Sequence, residues 1–350
     1  MKHLLSLAAA LSIIGLCRAQ SDDEVVRAST IKDNKEQALY NEGVTLLEQK
    51  DYAAAAAKFD GAIEQKPDFA EAYYNRAVAN ELLKKTEEAV ADYGKAIELQ
   101  PTANAYFGRG RVYQEKGEIR EAEADFAEAV KLEPKMAKAY YYMGAIKFQE
   151  SDYSAAIELY GKCIAADSKY FYAYNDRGSA LRQLGKYDEA VKDYSAAIAI
   201  SPKVDFLFGN RGSALRQLGK FDEAVRDYDE ALTLSPNSAM LYNNRGLAKL
   251  GKEDYAGALA DFTQAIKYDF SYYRAYNNAG KAYHAQKKYA EAVAEYSKAI
   301  KLNDSFGQAY LNRGISKEML RDDAGACADW KRAADLDIPQ ASSYVSIQCK

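Results

Sequence analysis

A period constrains this chain more than any other feature. Arg177 to Pro202, RGSALRQLGKYDEAVKDYSAAIAISP, recurs 34 residues later as Arg211 to Pro236, RGSALRQLGKFDEAVRDYDEALTLSP, with 19 of 26 positions identical. A fixed period of roughly 20 to 50 residues signals stacked units that each pack on their neighbours rather than around one central core. In that register nine units begin at Glu36, Ala70, Ala103, Ala137, Phe171, Asp205, Ala239, Tyr273 and Gly307, and together they cover residues 36–340. The second is one residue short.

Inside the unit the chemistry repeats as well. The eighth position is small (Gly43, Ala77, Gly110, Gly144, Gly178, Gly212, Gly246, Gly280, Gly314) and the twentieth is Ala throughout, from Ala55 to Ala326. The twenty-fourth is aromatic: Phe59, Tyr93, Phe126, Tyr160, Tyr194, Tyr228, Phe262, Tyr296 and Trp330. Small residues on two helices let the axes approach, and an aromatic ring fills the space beside them. Apolar residues spaced by three and four, such as Tyr174, Gly178 and Leu181 followed by Tyr187, Ala190, Tyr194 and Ala197, predict a helical hairpin. Pro67, Pro101, Pro134, Pro202 and Pro236 share one position at the unit end, where the missing N–H closes a helix.

These positions, agreeing in register nine times over residues 36–340, resemble the tetratricopeptide repeat (TPR) family. The resemblance implies an all-α fold, a right-handed superhelical solenoid of antiparallel helix pairs whose first helices line a concave, peptide- or protein-binding groove. Ser168, Phe270, Asp304 and Ile338 replace the proline in units four, seven, eight and nine and are expected to loosen those turns. Residues 341–350 are expected to complete a solvating cap helix that starts near Pro339.

Ahead of the array, residues 1–19 read as a secretory signal, with Lys2 and His3 before an apolar Leu4–Leu16 run and small residues at Cys17 and Ala19. Cleavage is expected before Gln20; the rival reading places a lipid anchor on Cys17. Residues 20–35 form a polar lead. No later apolar run is long enough to span a membrane. The formal charge of −4 argues against nucleic acid as a partner, since phosphate-backbone binding needs a concentrated basic surface. The expected location is the periplasm or cell envelope of a bacterium, or outside the cell or in the ER lumen in a eukaryote. The pattern Gly325-Ala326-Cys327-Ala328-Asp329-Trp330, which looks like the last repeat of exported bacterial TPR proteins, favours the former.

Position seven carries Arg76, Arg109, Arg177, Arg211, Arg245 and Arg313, and sixteen residues after each stands Asp92, Asp125, Asp193, Asp227, Asp261 or Asp329. Unit one reverses the pair as Glu42 and Lys58, unit four replaces both members with Met143 and Leu159, and unit eight, Ala279 with Glu295, is the exception. Such co-variation predicts a structural ion pair between the two helices of a unit, as in Arg177 with Asp193 and Arg211 with Asp227. Three cysteines follow the signal; Cys163 reads as a small buried residue, and Cys327 and Cys349 are expected to be bridged in an oxidising compartment.

The face that the resemblance assigns to the groove combines aromatics and arginines. Phe107, Arg111, Tyr141, Phe148, Tyr172, Arg182, Phe206 and Arg216 are its candidate partner-binding residues, suited to a peptide with apolar anchors and carboxylates. The Lys/Asn, Asn and Lys/Arg set with which family members hold chaperone C-termini is not reproduced, although Asn41, Asn75, Asn210, Asn244, Asn278 and Asn312 occupy its middle position. A catalytic centre would have to rest on His284, the one histidine beyond the signal, and no metal-ligand spacing or nucleotide fingerprint occurs, so no enzyme, cofactor, metal or small-molecule substrate is expected. The expected role is a non-catalytic protein-interaction scaffold; the alternatives are a lumenal or periplasmic co-chaperone holding unfolded clients, and a non-catalytic subunit of an envelope enzyme or secretion complex.

Overall fold

The computed structural model describes residues 34–349. The expected signal at residues 1–19, Cys17, the polar lead up to residue 33 and Lys350 lie outside them. Nineteen helices follow one another among the described residues, with no strand. The first four repeats are α1 (Lys35–Glu48) with α2 (Tyr52–Gln65), α3 (Ala70–Leu82) with α4 (Thr86–Leu99), α5 (Ala103–Lys116) with α6 (Ile119–Leu132), and α7 (Ala137–Gln149) with α8 (Tyr153–Ala166). The next three are α9 (Phe171–Gln183) with α10 (Tyr187–Ile200), α11 (Asp205–Gln217) with α12 (Phe221–Leu234), and α13 (Ala239–Gly251) with α14 (Tyr255–Tyr268). The last two are α15 (Tyr273–Ala285) with α16 (Tyr289–Leu302) and α17 (Gly307–Met319) with α18 (Asp323–Asp335), followed by α19 (Pro339–Gln348). The chain forms two compact halves, one ending at Ala180 and the other beginning at Leu181.

Every hairpin turns at the same position. Lys50, Lys84, Gly117, Ser151, Gly185, Gly219, Glu253, Lys287 and Arg321 all have φ between 61° and 81°. This left-handed region costs an ordinary residue about 1 kcal/mol and glycine almost nothing. Six of the nine turns therefore carry strain, offset by closing bonds such as Lys85 N–H to the Asn80 carbonyl at 2.8 Å. The next residue often caps the second helix: Asp254 Oδ1 accepts the Gly257 N–H at 2.9 Å, and Asp51, Asp152 and Asp322 act alike.

The core of each hairpin is the ring at position twenty-four, and all nine such rings are 2% exposed or less. Close approach makes the small partner necessary. A Cβ on Gly246 would come within 2.6 Å of the Phe262 ring, and one on Gly280 within 2.6 Å of Tyr296. Burying such rings contributes roughly 1.5 to 3 kcal/mol each and supplies most of what holds a hairpin together.

The position-seven arginines do more than pair within a hairpin. Arg211 donates through Nε and Nη2 to Asp227 Oδ2 and Oδ1 at 2.8 and 2.7 Å. Arg76, Arg109, Arg245 and Arg313 hold Asp92, Asp125, Asp261 and Asp329 in the same bidentate way. The reversed pair, Lys58 with Glu42, closes at 2.5 Å. Nη1 then reaches back to the preceding repeat: to Asp60 from Arg76 and Asp229 from Arg245 at 2.6 Å, and to the Ser195 and Ser297 hydroxyls from Arg211 and Arg313 at 3.0 Å. One guanidinium thus joins three helices, a contact that the pairing pattern within units does not reveal. Arg177 lies over the Tyr174 ring, and Asp193 is buried.

The turns without proline in repeats four, seven and eight are not loosened. Where proline is missing from repeats four, seven and eight, Asp167, Asp269 and Asn303 accept backbone N–H bonds from Lys169, Ser271 and Ser305 at 2.8, 2.9 and 3.1 Å. A side-chain turn replaces a fixed φ with a hydrogen bond and holds the same geometry. Beyond repeat nine, α19 stacks Tyr344 on Trp330 at 4.7 Å and is tied to α18 by a disulfide between Cys327 and Cys349, whose Cα atoms lie 5.5 Å apart.

Candidate functional site

A second ladder joins the first helices of successive repeats and changes which side chains can face a partner. Asn75 Nδ2 donates to the Tyr40 hydroxyl at 2.9 Å, and the Tyr141 hydroxyl donates to Asp176 Oδ2 at 2.7 Å. Asn278 and Asn312 donate to Asn243 and Asn277 at 2.8 and 3.0 Å. In each case position five of one repeat bonds position six of the next, 35 residues on. Tyr141 is therefore no groove residue: it is 5% exposed and ringed by Tyr142, Tyr160, Tyr170 and Tyr172. Phe148 is half-buried and meets Tyr153 of its own hairpin edge-on at 5.3 Å. Tyr172 is half-buried in the same aromatic group, against Phe171 at 4.0 Å.

Repeat three breaks the ladder. Gly108 stands where six other repeats carry Asn, and a Cβ there would meet the Tyr93 ring at 2.6 Å. Beside it opens a cavity of about 280 Å³, lined by Tyr74, Tyr93, Asn104, Phe107, Arg111, Lys138 and Tyr170 among others, with Glu133 and Lys135 also on its wall. Three successive first helices, α3, α5 and α7, thus contribute to one hollow. Two of its charges meet on the floor: Glu81 accepts from the Tyr93 hydroxyl at 2.9 Å and from Arg111 Nη2 at 2.8 Å, while the guanidinium lies 5.5 Å above the Phe107 ring. Phe107 also packs on Phe126 and Tyr142 at 5.7 and 5.5 Å. Phe107 and Arg111 are thereby placed at a concave site, with an aromatic wall and a neutralised floor.

The second half carries the opposite arrangement. Arg182 and Arg216 occupy the position that Glu81 holds in repeat two, and Phe206 is half-buried at the start of α11. The Nε atoms of both arginines are buried with no hydrogen-bond acceptor, and neither forms an ion pair among the described residues. The Tyr228 hydroxyl, 3.0 Å from Ser213 Oγ, lies within the field of both. Burial raises the phenol's pKa, while the Ser213 hydrogen bond, the positive charge of Arg216 and its hydrogen bond to the phenol, and the charge of Arg182 pull it back down.

The remaining reactive groups are structural. His284 Nδ1 lies 2.8 Å from Ser316 Oγ, the geometry of a nucleophile and base, but Ser316 is 0% exposed and donates to the Asn312 carbonyl at 3.1 Å. No substrate reaches that oxygen. Burial lowers the His284 pKa and keeps the ring neutral at neutral pH. Cys163 is buried, and desolvation, then the nearby Asp167 charge, pushes its thiol up to about 12. The described residues contain no cluster of His, Cys, Asp or Glu able to hold a metal, and no helix long and apolar enough to cross a membrane.

Tandem helical hairpins, joined by an arginine staple and an Asn ladder, define an α-solenoid repeat protein. Its family is shown by the sequence itself: tetratricopeptide repeat profiles match residues 37–104, 107–170, 171–204 and 240–272, and a TPR repeat profile matches 212–252 and 280–320. The chain belongs to the tetratricopeptide repeat family, whose members generally act as non-catalytic scaffolds that bind protein or peptide partners. Among curated proteins no relative matches it. Solved structures share the fold. A tetratricopeptide repeat protein from Parabacteroides merdae is 21% identical, with a TM-score of 0.50, over 71% of this chain and 98% of its own. The APC/C hetero-tetramer Cut9–Hcn1 is 14% identical, with a TM-score of 0.55, over 99% of this chain and 82% of its own.

Proposed function

We propose that this protein is a non-catalytic scaffold that binds an extended or helical segment of a partner protein along the faces of its first helices, and that it works in the bacterial periplasm or envelope. The observation that carries the reading is the hollow beside Gly108, where three successive repeats contribute to one aromatic-walled surface with its floor charges already neutralised. Such a surface takes an apolar anchor without leaving a buried charge behind. The bridge between Cys327 and Cys349 supports an oxidising compartment, in agreement with the signal read in residues 1–19.

The test is affinity capture from the envelope fraction of the native host, comparing the wild-type chain with Glu133→Lys/Lys135→Glu. Both residues are exposed at the hollow, so the fold should survive the charge reversal. A discrete partner captured by the wild type and lost in the variant is the expected result. A partner retained by the variant moves binding off this face, and a diffuse set of unfolded clients favours a holdase. Sequencing the N-terminus of the exported protein checks cleavage before Gln20.

A further inference from the structure

Six arginines of the first helices have a carboxylate in the fold, and Arg182 and Arg216 do not. Arg76, Arg109, Arg211, Arg245 and Arg313 each hold a carboxylate bidentately, and Arg111 reaches Glu81 at 2.8 Å. In repeats two and three an acid at position twelve, Glu81, meets an arginine at position nine of the next repeat, Arg111. Repeats five to seven break that neutralisation. Position twelve is Arg182 and then Arg216, and position nine of the following repeats is Ser213 and then Leu247, so the opposing acid is missing. Both Nε atoms are buried without an acceptor, as is that of Arg111, so what sets the two apart is the missing acid and not the Nε atom. A partly desolvated guanidinium is costly without a counter-charge, and its fork geometry matches a carboxylate. The chain as a whole is acidic, with a net charge of −4, so a positive pair on this face is a local departure and not part of a general basic surface.

We propose that Arg182 and Arg216 are a reading site for acidic side chains: each guanidinium takes one Asp or Glu carboxylate from a partner segment lying across α9 and α11. The proposal rests on the partner-binding reading above and adds the chemistry of the partner. Neighbouring packed helices lie about 8–10 Å apart, and a polyproline-II segment, with three residues per turn and a rise of about 3.1 Å per residue, presents side chains three residues apart on one face at about that spacing, so acids three residues apart match successive arginines. A single C-terminal carboxylate satisfies only one fork. The Tyr228 hydroxyl, within reach of both positive charges and bonded to Ser213, gives the site a polar floor.

Fluorescence anisotropy with the full chain tests this, using end-blocked, fluorescein-labelled dodecapeptides with Glu at every third position, their Gln counterparts, and the Gln peptide with a free C-terminal carboxylate. The Glu peptide should bind at least tenfold more tightly than the blocked Gln peptide, and Arg182→Gln/Arg216→Gln should abolish that preference. Equal binding of the Glu and Gln peptides, or a preference that survives in the double variant, overturns the proposal. Preference for the free C-terminus alone assigns the site to a main-chain carboxylate and overturns the side-chain reading. A wild type that binds none of the peptides also overturns it; if that protein still captures a partner that Glu133→Lys/Lys135→Glu loses, the scaffold reading stands without the acidic one.

Discussion

The hydroxyl of Tyr141 donates to Asp176, 35 residues further along the chain, at 2.7 Å. Asp176 is a buried carboxylate where six other repeats carry Asn, and its second donor is Asn175 Nδ2 at 2.8 Å. Desolvation raises its pKa from 3.8 to about 6 despite the opposing effect of these two bonds. The folded chain therefore holds the proton more tightly than the unfolded chain does. Below the unfolded value both states are protonated and nothing is lost, while stability falls as pH rises through the folded value.

Asp176→Asn removes that penalty, and its amide oxygen can still accept from Tyr141. The substitution should leave stability near pH 3.5 unchanged and raise it at pH 7.5 by about 1 to 3 kcal/mol, the upper figure being the full shift at about 1.4 kcal/mol per unit. Urea melts at both pH values check it. A wild-type-to-variant gap that is the same at both would refute the assignment.

Arg211 and Asp227 should behave as a pair. Arg211→Met alone leaves the nearly buried Asp227 without its partner and should cost about 2 kcal/mol. Arg211→Met/Asp227→Leu, copying Met143 and Leu159 of repeat four, should restore all but about 1 kcal/mol. Denaturant midpoints of both variants measure the coupling, and additive losses would contradict it.

The hairpin turns offer a gain. Lys84 adopts φ of 61°, whereas the matching residues of repeats three, five and six are glycines. Lys84→Gly should relieve about 0.5 to 1 kcal/mol of strain and raise the melting temperature of the first half. It also removes the 2.9 Å surface ion pair with Glu115, which contributes little. A lowered melting temperature would show that this turn stores no net strain.

Gly246→Ala should do the reverse. Its Cβ would enter the space of the buried Phe262 ring at 2.6 Å, an overpacking expected to cost about 1 to 3 kcal/mol. Gly246→Ala/Phe262→Leu should recover part of that loss, and failure to recover would place the strain elsewhere.

Thiol accessibility checks the C-terminal clasp. Among Cys163, Cys327 and Cys349, iodoacetamide should label only Cys163 in denatured, unreduced protein, and none of the three in the native state. Reduction opens a loop with a sequence separation of 22 residues and should weaken the attachment of α19 by about 3 kcal/mol in the chain-entropy model. Hydrogen exchange in α18 and α19 would then rise while the first half stays unchanged.

The sequence by itself determined the repeat, its register and the inside of each hairpin. Gly246 and Phe262, or Arg211 and Asp227, lie sixteen residues apart within one unit, so their complementarity is written locally and repeated often enough to be read. Contacts between repeats were hidden, because they depend on how one hairpin rotates against the next, and packing decides that rotation. Tyr141 therefore reads as a groove residue in the sequence, whereas its bond to Asp176 places it in the seam. The ladder's signal is present in the sequence as Asn recurring at position six, which is also the middle position of a clamp set that the chain does not otherwise reproduce. Tertiary structure also separated arginines that look alike on paper: Arg111 finds Glu81 across a repeat boundary, while Arg182 and Arg216 find no acid, since the counter-charge must come from a neighbouring helix and there the neighbours are Ser213 and Leu247.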